Sequence, residues 1–378
     1  MVYDFIVVGA GIAGASAAYG LAGSARVCLI ESESRPGFHA TGRSAALFAP
    51  TYGGREIRAL TRASRAFFDR PPAGFCDQPL LHPRGCLYIA RSDQHQQLQD
   101  MVASIRATGG SVSFTDRDKT FALVPSLRKD YVAEAALDLD ATDIEVDSLH
   151  QAFLRGARAA GTTLLTNSRV THVERRDGAW HIRLGDQDIS AAVLINAAGA
   201  WADQLAKICG AGLIGLQPLR RTALLVEAPP GVDVRSWPAV IDTDEQFYFK
   251  PDAGKLLLSP ADETPSSPGD AYPEDLDVAI AVDRVQAALD IDIQRVSHSW
   301  AGLRTFTSDR APVVGFDPRV PDFFWCAGQG GYGIQTAPAM SSVVAALAKR
   351  ESLPANVLRE GLTAEDLSPQ RFIDRAAP

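Results

Sequence analysis

Cysteine is scarce in this chain: Cys28, Cys76, Cys86, Cys209 and Cys326 are five thiols spread over 378 residues. Their odd number and wide separation exclude a disulfide framework and lack the paired spacings of zinc or redox motifs. Reduced packing residues in a cytoplasmic protein are the expectation, and no metal site is expected. Long apolar runs are missing too. A stretch such as 191–195 falls far short of the ~18 residues that a membrane span needs, so no transmembrane segment is expected. The strand-like run 3–8 follows Met1 so closely that a cleavable leader has no room. Contact with the surface of the inner membrane stays open. Positive charge is in deficit, with 37 Lys and Arg against 45 Asp and Glu and a net charge of −8. No basic face is available for a phosphate backbone, which excludes nucleic acid as a partner.

What is present starts at the N-terminus. A length of 378 residues suits two interleaved domains. Residues 4–8 read as a strand, Gly9 to Gly14 as a tight turn, the Ala-rich stretch to Leu21 as a helix and 26–30 as a second strand, one βαβ unit. The turn is Gly9-Ala10-Gly11-Ile12-Ala13-Gly14. Gly9 permits the turn, Gly11 leaves room for a pyrophosphate, and Gly14 lets helix and strand approach, while Ile12 and Ala13 open a helix N-terminus that favours anions. Glu31, about 20 residues on, can accept from both ribose hydroxyls and disfavours a 2′-phosphate. The spacing leaves NAD and FAD both open.

Further along, helical spacing over 56–70 stops before Pro71-Pro72. A helix begins near Asp147, strands are expected at 163–165 and 169–173, and Asp177-Gly178 joins the latter to 179–184 as a hairpin. A buried strand at 192–196 leads into Ala197-Ala198-Gly199. Residues 218–259 are strand-rich, 262–273 form a Pro/Ser/acidic loop, and 278–291 have helical spacing. A strand at 323–326 feeds the glycine-rich segment 328–333, with a closing helix at 337–348. No internal repeat is present.

Three blocks carry a resemblance: Ala40-Thr41-Gly42-Arg43-Ser44-Ala45-Ala46, Asn196-Ala197-Ala198-Gly199-Ala200-Trp201, and Gly328-Gln329-Gly330-Gly331-Tyr332-Gly333-Ile334-Gln335. In this order they resemble the flavin loops of the D-amino-acid oxidase superfamily, which also holds glycine and sarcosine oxidases. Runs such as Ser64-Arg65-Ala66-Phe67-Phe68 and Trp300-Ala301-Gly302-Leu303-Arg304 are most similar to the bacterial D-arginine dehydrogenases. The resemblance implies an α/β fold in which a Rossmann-like FAD-binding domain (1–82, 143–214 and 305–378) interleaves with a β-sheet-rich, α+β substrate domain (83–142 and 215–304). It implies non-covalent FAD, held by the first glycine turn with Glu31 and Ser32, by Thr41, Gly42, Arg43, Ser44 and Ala45, by Val170, by Ala198, Gly199 and Trp201, and by Gly330 to Gln335. His39 precedes the flavin loop where some relatives attach the flavin covalently, but free FAD is expected here.

The same resemblance implies hydride transfer from the alpha-carbon of a D-amino acid to flavin N5, giving an imino acid that hydrolyses to a 2-oxo acid and ammonia. Arg304 is the expected carboxylate clamp, because a planar guanidinium matches a carboxylate bidentately. Tyr52 and Tyr248 are implied hydroxyl donors, Arg221 a second cation, and Gly331 a close backbone neighbour of the reaction. Arg220 and Arg221 alternate on a strand, so only one can face the site, and Arg221 is the choice. Gly85-Cys86-Leu87 stands where arginine-preferring relatives have a glutamate, and Leu47 and Ala49 replace more polar residues. A neutral or apolar side chain is therefore expected over D-arginine. The electron acceptor implied is a quinone, an electron-transfer protein or oxygen. The competing readings are an oxidase or dehydrogenase of an N-methyl or cyclic amine or a 2-hydroxy acid, and a flavin-binding assembly or regulatory protein without turnover.

Overall fold

An unbroken apolar strand must be covered on both faces, and Val2–Val8, buried from Phe5 onward, lies inside a sheet. The computed structural model describes residues 1–185 and 187–373; Asp186 and 374–378, assigned from sequence to the FAD-binding domain, lie outside the described residues. Val2–Val8 pairs in parallel with Val27–Ile30 on one side and with Gln187–Asn196 on the other, and Val27–Ile30 pairs with Thr163–Leu165. The first half of Gln187–Asn196 pairs antiparallel with Ala179–Leu184, while its last residues pair in parallel with Phe323–Ala327. Helices Ile12–Leu21, Val146–Ala159 and Gly333–Ala348 contribute Leu21, Phe153 and Val343 to the core against this sheet. Small residues let two of them approach closely: Ser341 Oγ donates to the Ser16 carbonyl at 2.6 Å, and a Cβ on Gly20 would lie 2.4 Å from the Ser341 carbonyl oxygen.

The second lobe is a nine-stranded sheet. Alternation gives its two faces different jobs. Leu87, Val240, Phe249, Leu258 and Leu224 are linked by strand register and pack with Ala281, Val285 and Ala288 of helix Asp275–Ala288. Residues one step along each strand, including Tyr88, Ile241, Tyr248, Ser259, Arg221 and Gly302, share the opposite face. The architecture is two-lobed α/β, with a cofactor lobe on a mainly parallel sheet and a substrate lobe on a mainly antiparallel one.

Several boundaries differ from expectation. Only Val173 of the expected strand 169–173 is in a strand, Val173–Arg176. The chain before it is drawn toward the first sheet, with Ser168 N–H bonded to the Glu31 carbonyl and Asn167 N–H to that of Glu33. The hairpin itself forms, with Asp177 and Gly178 at φ 52° and 79°. The closing helix starts at Gly333, four residues early, directly out of the glycine segment. The loop 262–273 contains a two-residue strand, Thr264–Pro265, added to the edge of the second sheet.

Candidate active site

The carboxyl ends of Val2–Val8 and Val27–Ile30 open on a cavity of about 480 Å³, the place where open α/β sheets hold ligands. Glu31, Ser32 and Val170 line one end, and Gly9, Gly11, Ile12 and Ala13 lie along the middle with Ala198, Gly199 and Trp201. Thr41, Arg43, Ser44 and Ala45 flank it, and Arg221, Tyr248, Arg304, Gly330, Gly331, Gly333 and Ile334 also line it.

The glycine turn is built by steric necessity. Gly9 sits at φ +101°, and a Cβ there would lie 2.4 Å from the Ala197 carbonyl oxygen. A Cβ on Gly14 would lie 1.7 Å from the Gly9 oxygen, so Gly14 serves helix–strand packing and is not among the cavity-lining residues. Glu31 is pre-aimed: its Oε2 accepts from Ala10 N–H at 2.8 Å and its Oε1 from Glu33 N–H at 3.0 Å, leaving lone pairs for a ligand. Buried His150 places Nε2 2.9 Å from the Ala10 carbonyl oxygen, and burial pushes its pKa below the ordinary value, so the neutral ring donates there.

At the other end, strands Gln217–Val226 and Val296–Phe306 pair so that Arg221 stands opposite Gly302 and Leu219 opposite Arg304. Arg220 points to the far face, held by Asp277 at 2.8 Å and by Glu274. Arg221 Nε donates to the Asp262 carbonyl at 2.8 Å, and its Nη2 lies 3.3 Å from Glu263, which also accepts from Arg310. Burial pushes the Tyr248 phenol up, but the guanidiniums of Arg304 and Arg221 outweigh it, and its pKa falls below the ordinary tyrosine value. Arg304 stays firmly protonated because the phenols of Tyr248 and Tyr52 offset its own burial.

Five expected site residues lie off the cavity wall. Besides Gly14, these are Gly42, Tyr332, Gln335 and Tyr52. Tyr52 Oη donates to Glu245 at 3.3 Å and its ring meets that of Tyr332 edge-on at 5.3 Å. Gln335 Oε1 accepts from Ala49 N–H at 3.1 Å, tying the Tyr52 loop to helix Gly333–Ala348. Arg43 does line the cavity, yet its guanidinium is committed to the carbonyls of Ala271 at 2.8 Å and Ala301 at 2.9 Å and to Asp270. It thereby fixes the segment whose Gly269 and Ala271 close the cavity. His39 Nε2 lies 3.1 Å from Glu33, and its ring packs on Trp201. Glu245, Glu263 and Ser259 escaped the sequence reading. Strand alternation puts Ser259 on the same face as Arg221, but nothing in the local pattern marks Glu245, which sits in a turn at φ 54°.

Residues 4–347 match the protein family described as FAD dependent oxidoreductase. The chain belongs to that family. Its cofactor is FAD, held without a covalent link, and when bound it supplies the acceptor for two electrons and a hydrogen. The cavity fits it. Among the described residues, a Cβ on Gly11 would approach only Thr41 Oγ1, at 3.1 Å, so bare backbone would face the ligand there, and Glu31, pre-aimed by Ala10 N–H, would take the ribose. Among curated proteins, the chain is 24% identical to hydrogen cyanide synthase subunit HcnC of Pseudomonas aeruginosa, over 94% of either chain. It is 25% identical to glycine oxidase of Bacillus licheniformis, covering 91% of this chain and 92% of that one. Among solved structures, glycine oxidase from Geobacillus kaustophilus superposes with a TM-score of 0.81 at 23% identity, covering 93% of this chain and 95% of that one. Among the described residues, no helix is long and apolar enough to cross a membrane, and no cluster suits a metal ion.

Proposed function

We propose that this flavoprotein oxidises the carbon–nitrogen bond of a small, uncharged α-amino acid carrying a primary or secondary amine, giving an imine that water converts to a 2-oxo acid and ammonia or an amine. The observation that carries the reading is the charge of the cavity wall. Arg221 and Arg304 stand at the substrate end among small residues, Ala223, Gly302, Gly330 and Gly331, while the one carboxylate on the wall, Glu31, is at the ribose end. Such a site takes a carboxylate and has no carboxylate on its wall for a guanidinium side chain, since Glu245 and Glu263 lie behind the wall and are already engaged by Tyr52 and by Arg221 and Arg310.

Arg304 binds the substrate carboxylate, Tyr248 donates its phenol proton to the same group, and Arg221 adds a second positive charge. Two nearby cations and a low dielectric disfavour an ammonium, so the amine binds neutral with its lone pair free to assist loss of the alpha-hydrogen, and no separate base is needed. Cys86, Leu47 and Ala49, on which the expectation of an apolar side chain rested, do not reach the cavity wall, so the preference for an uncharged side chain rests on the charge of the wall alone. The likeness to glycine oxidase supports glycine and its N-substituted relatives, and the runs similar to D-arginine dehydrogenases support the D-enantiomer where a side chain is present.

The test is anaerobic mixing with glycine, sarcosine, both prolines, D- and L-alanine, D-leucine and D-arginine while following the oxidised flavin absorbance. Bleaching by one or more small neutral substrates is expected. Bleaching by D-arginine alone, or by no amine, would overturn the proposal. Repeating the reaction in air with a peroxide assay separates oxygen from a quinone or protein acceptor.

A further inference from the structure

Asp138 ends the strand Glu134–Asp138, paired with Cys86 on one side and Val112 on the other. It is fully buried, and its hydrogen-bond partners are neutral: Thr51 Oγ1 donates to Oδ2 at 2.5 Å and Asp140 N–H to Oδ1 at 2.8 Å. Among the described residues, Thr51, Cys86 and Tyr88 act on it with the backbone N–H groups of Asp140 and Ala141 and the Asp140 carboxylate, and none of these is a cation. A carboxylate in that setting is costly, and a neutral acceptor would suffice merely to tie two chain segments together.

What Asp138 grips is the segment that presents Tyr52. Thr51 is buried on the second-lobe side, where a Cβ on Gly110 would come within 3.0 Å of its Cγ2. Its neighbour Tyr52 turns to Glu245 and Tyr332 instead. The segment is otherwise held at Ala49 N–H by Gln335, on the first lobe. A loop strung between two lobes takes its height over the substrate end from its central anchor, and that anchor is the Thr51–Asp138 bond. We infer that Asp138, acting through the Thr51 hydroxyl, is a positioning residue that sets Tyr52 against Arg304, the clamp of the bound amino acid.

The inference rests on the proposed function, in which Arg304 binds the carboxylate, and adds to it Tyr52, which lies behind the cavity wall with its hydroxyl bonded to that guanidinium. Thr51→Val keeps shape and removes the hydroxyl, Thr51→Ser restores it, and Asp138→Asn removes the charge while keeping an acceptor. In the holoenzyme, with flavin content matched, Thr51→Val is expected to raise KM for the best small amino acid about tenfold, with kcat within about threefold of the wild type. Thr51→Ser should return KM to near the wild-type value, and Asp138→Asn should shift KM in the same direction as Thr51→Val but less. A purely structural role would lower the melting temperature and leave KM alone. A KM for Thr51→Val within about twofold of wild type, or a Thr51→Ser enzyme as impaired as Thr51→Val, would overturn the assignment. If no amine reduces the wild-type flavin, the proposed function fails; if the wild type is reduced and the variants match it, only the role of Asp138 fails.

Discussion

Gly331 and Arg304 are in contact by design of the backbone: a methyl group on Gly331 would lie 2.9 Å from Cζ and Nη1 of the Arg304 guanidinium. The planar head of Arg304 therefore lies flat against the glycine loop that follows strand Phe323–Ala327, and the two lobes meet at this point. Gly331→Ala must displace the guanidinium. It is expected to raise KM for the amino acid by roughly tenfold to a hundredfold, since small misplacements at a binding group carry costs of that order. Steady-state kinetics at matched flavin content would check this.

Arg304→Lys tests the planar fork directly. A lysine keeps the charge but not the paired donors, and its strongly hydrated ammonium is a poor substitute in a half-buried site. We expect KM to rise about a hundredfold with FAD still bound, because hydrogen bonds to a charged group are lost. Full retention of KM would move the clamp elsewhere.

Tyr248 gives a pH signature. Its phenol must keep its proton to donate to a carboxylate, and Arg304 with Arg221 holds its pKa below the ordinary tyrosine value despite burial. KM should therefore climb on the alkaline side, beginning below the value of about 10 at which an unperturbed tyrosine ionises. In Tyr248→Phe that limb should vanish and KM should already be raised at neutral pH.

His150 gives a stability signature. Burial holds its folded pKa below the unfolded value of 6.5, so the unfolded chain takes up a proton that the folded one refuses. The stability that the neutral ring contributes is complete above pH 6.5 and is lost as the pH falls toward the folded pKa. His150→Gln keeps a donor for the Ala10 carbonyl without titrating. The difference in melting temperature between the two proteins should thus narrow or reverse on acidification from neutral pH.

The parts of this protein legible in its sequence were those where backbone geometry dictates residue type. The turn Gly9 to Gly14 could be read because no side chain fits where Ala197 and Gly9 cross. That only one of Arg220 and Arg221 faces the site follows from strand alternation, the resemblance names Arg221, and the structure sends Arg220 to Asp277 and Glu274 on the far face. Contacts set by tertiary folding were invisible. Arg43 reads as a cofactor ligand by its place in the flavin loop, yet its guanidinium crosses to Asp270 and Ala271, more than 220 residues away. Asp138 looks like an ordinary strand-end acid until Thr51, 87 positions earlier, is seen to donate to it. The strand expected from Arg169 starts only at Val173, and the residues just before it, Asn167 and Ser168, bond to Glu33 and Glu31, long-range contacts that no local periodicity records.

The central claim is that the Arg304 end of the cavity holds the carboxylate of an amino acid whose amine is oxidised. Anaerobic stopped-flow mixing with a small neutral amino acid, beside the amine that it would give on decarboxylation, tests it most directly. The amino acid should reduce the flavin, and the decarboxylated amine should do so at least about a hundredfold less efficiently, as loss of a charge-assisted clamp requires. Equal reduction by both, or no reduction by any amino acid while a chemical reductant bleaches the flavin, would contradict it.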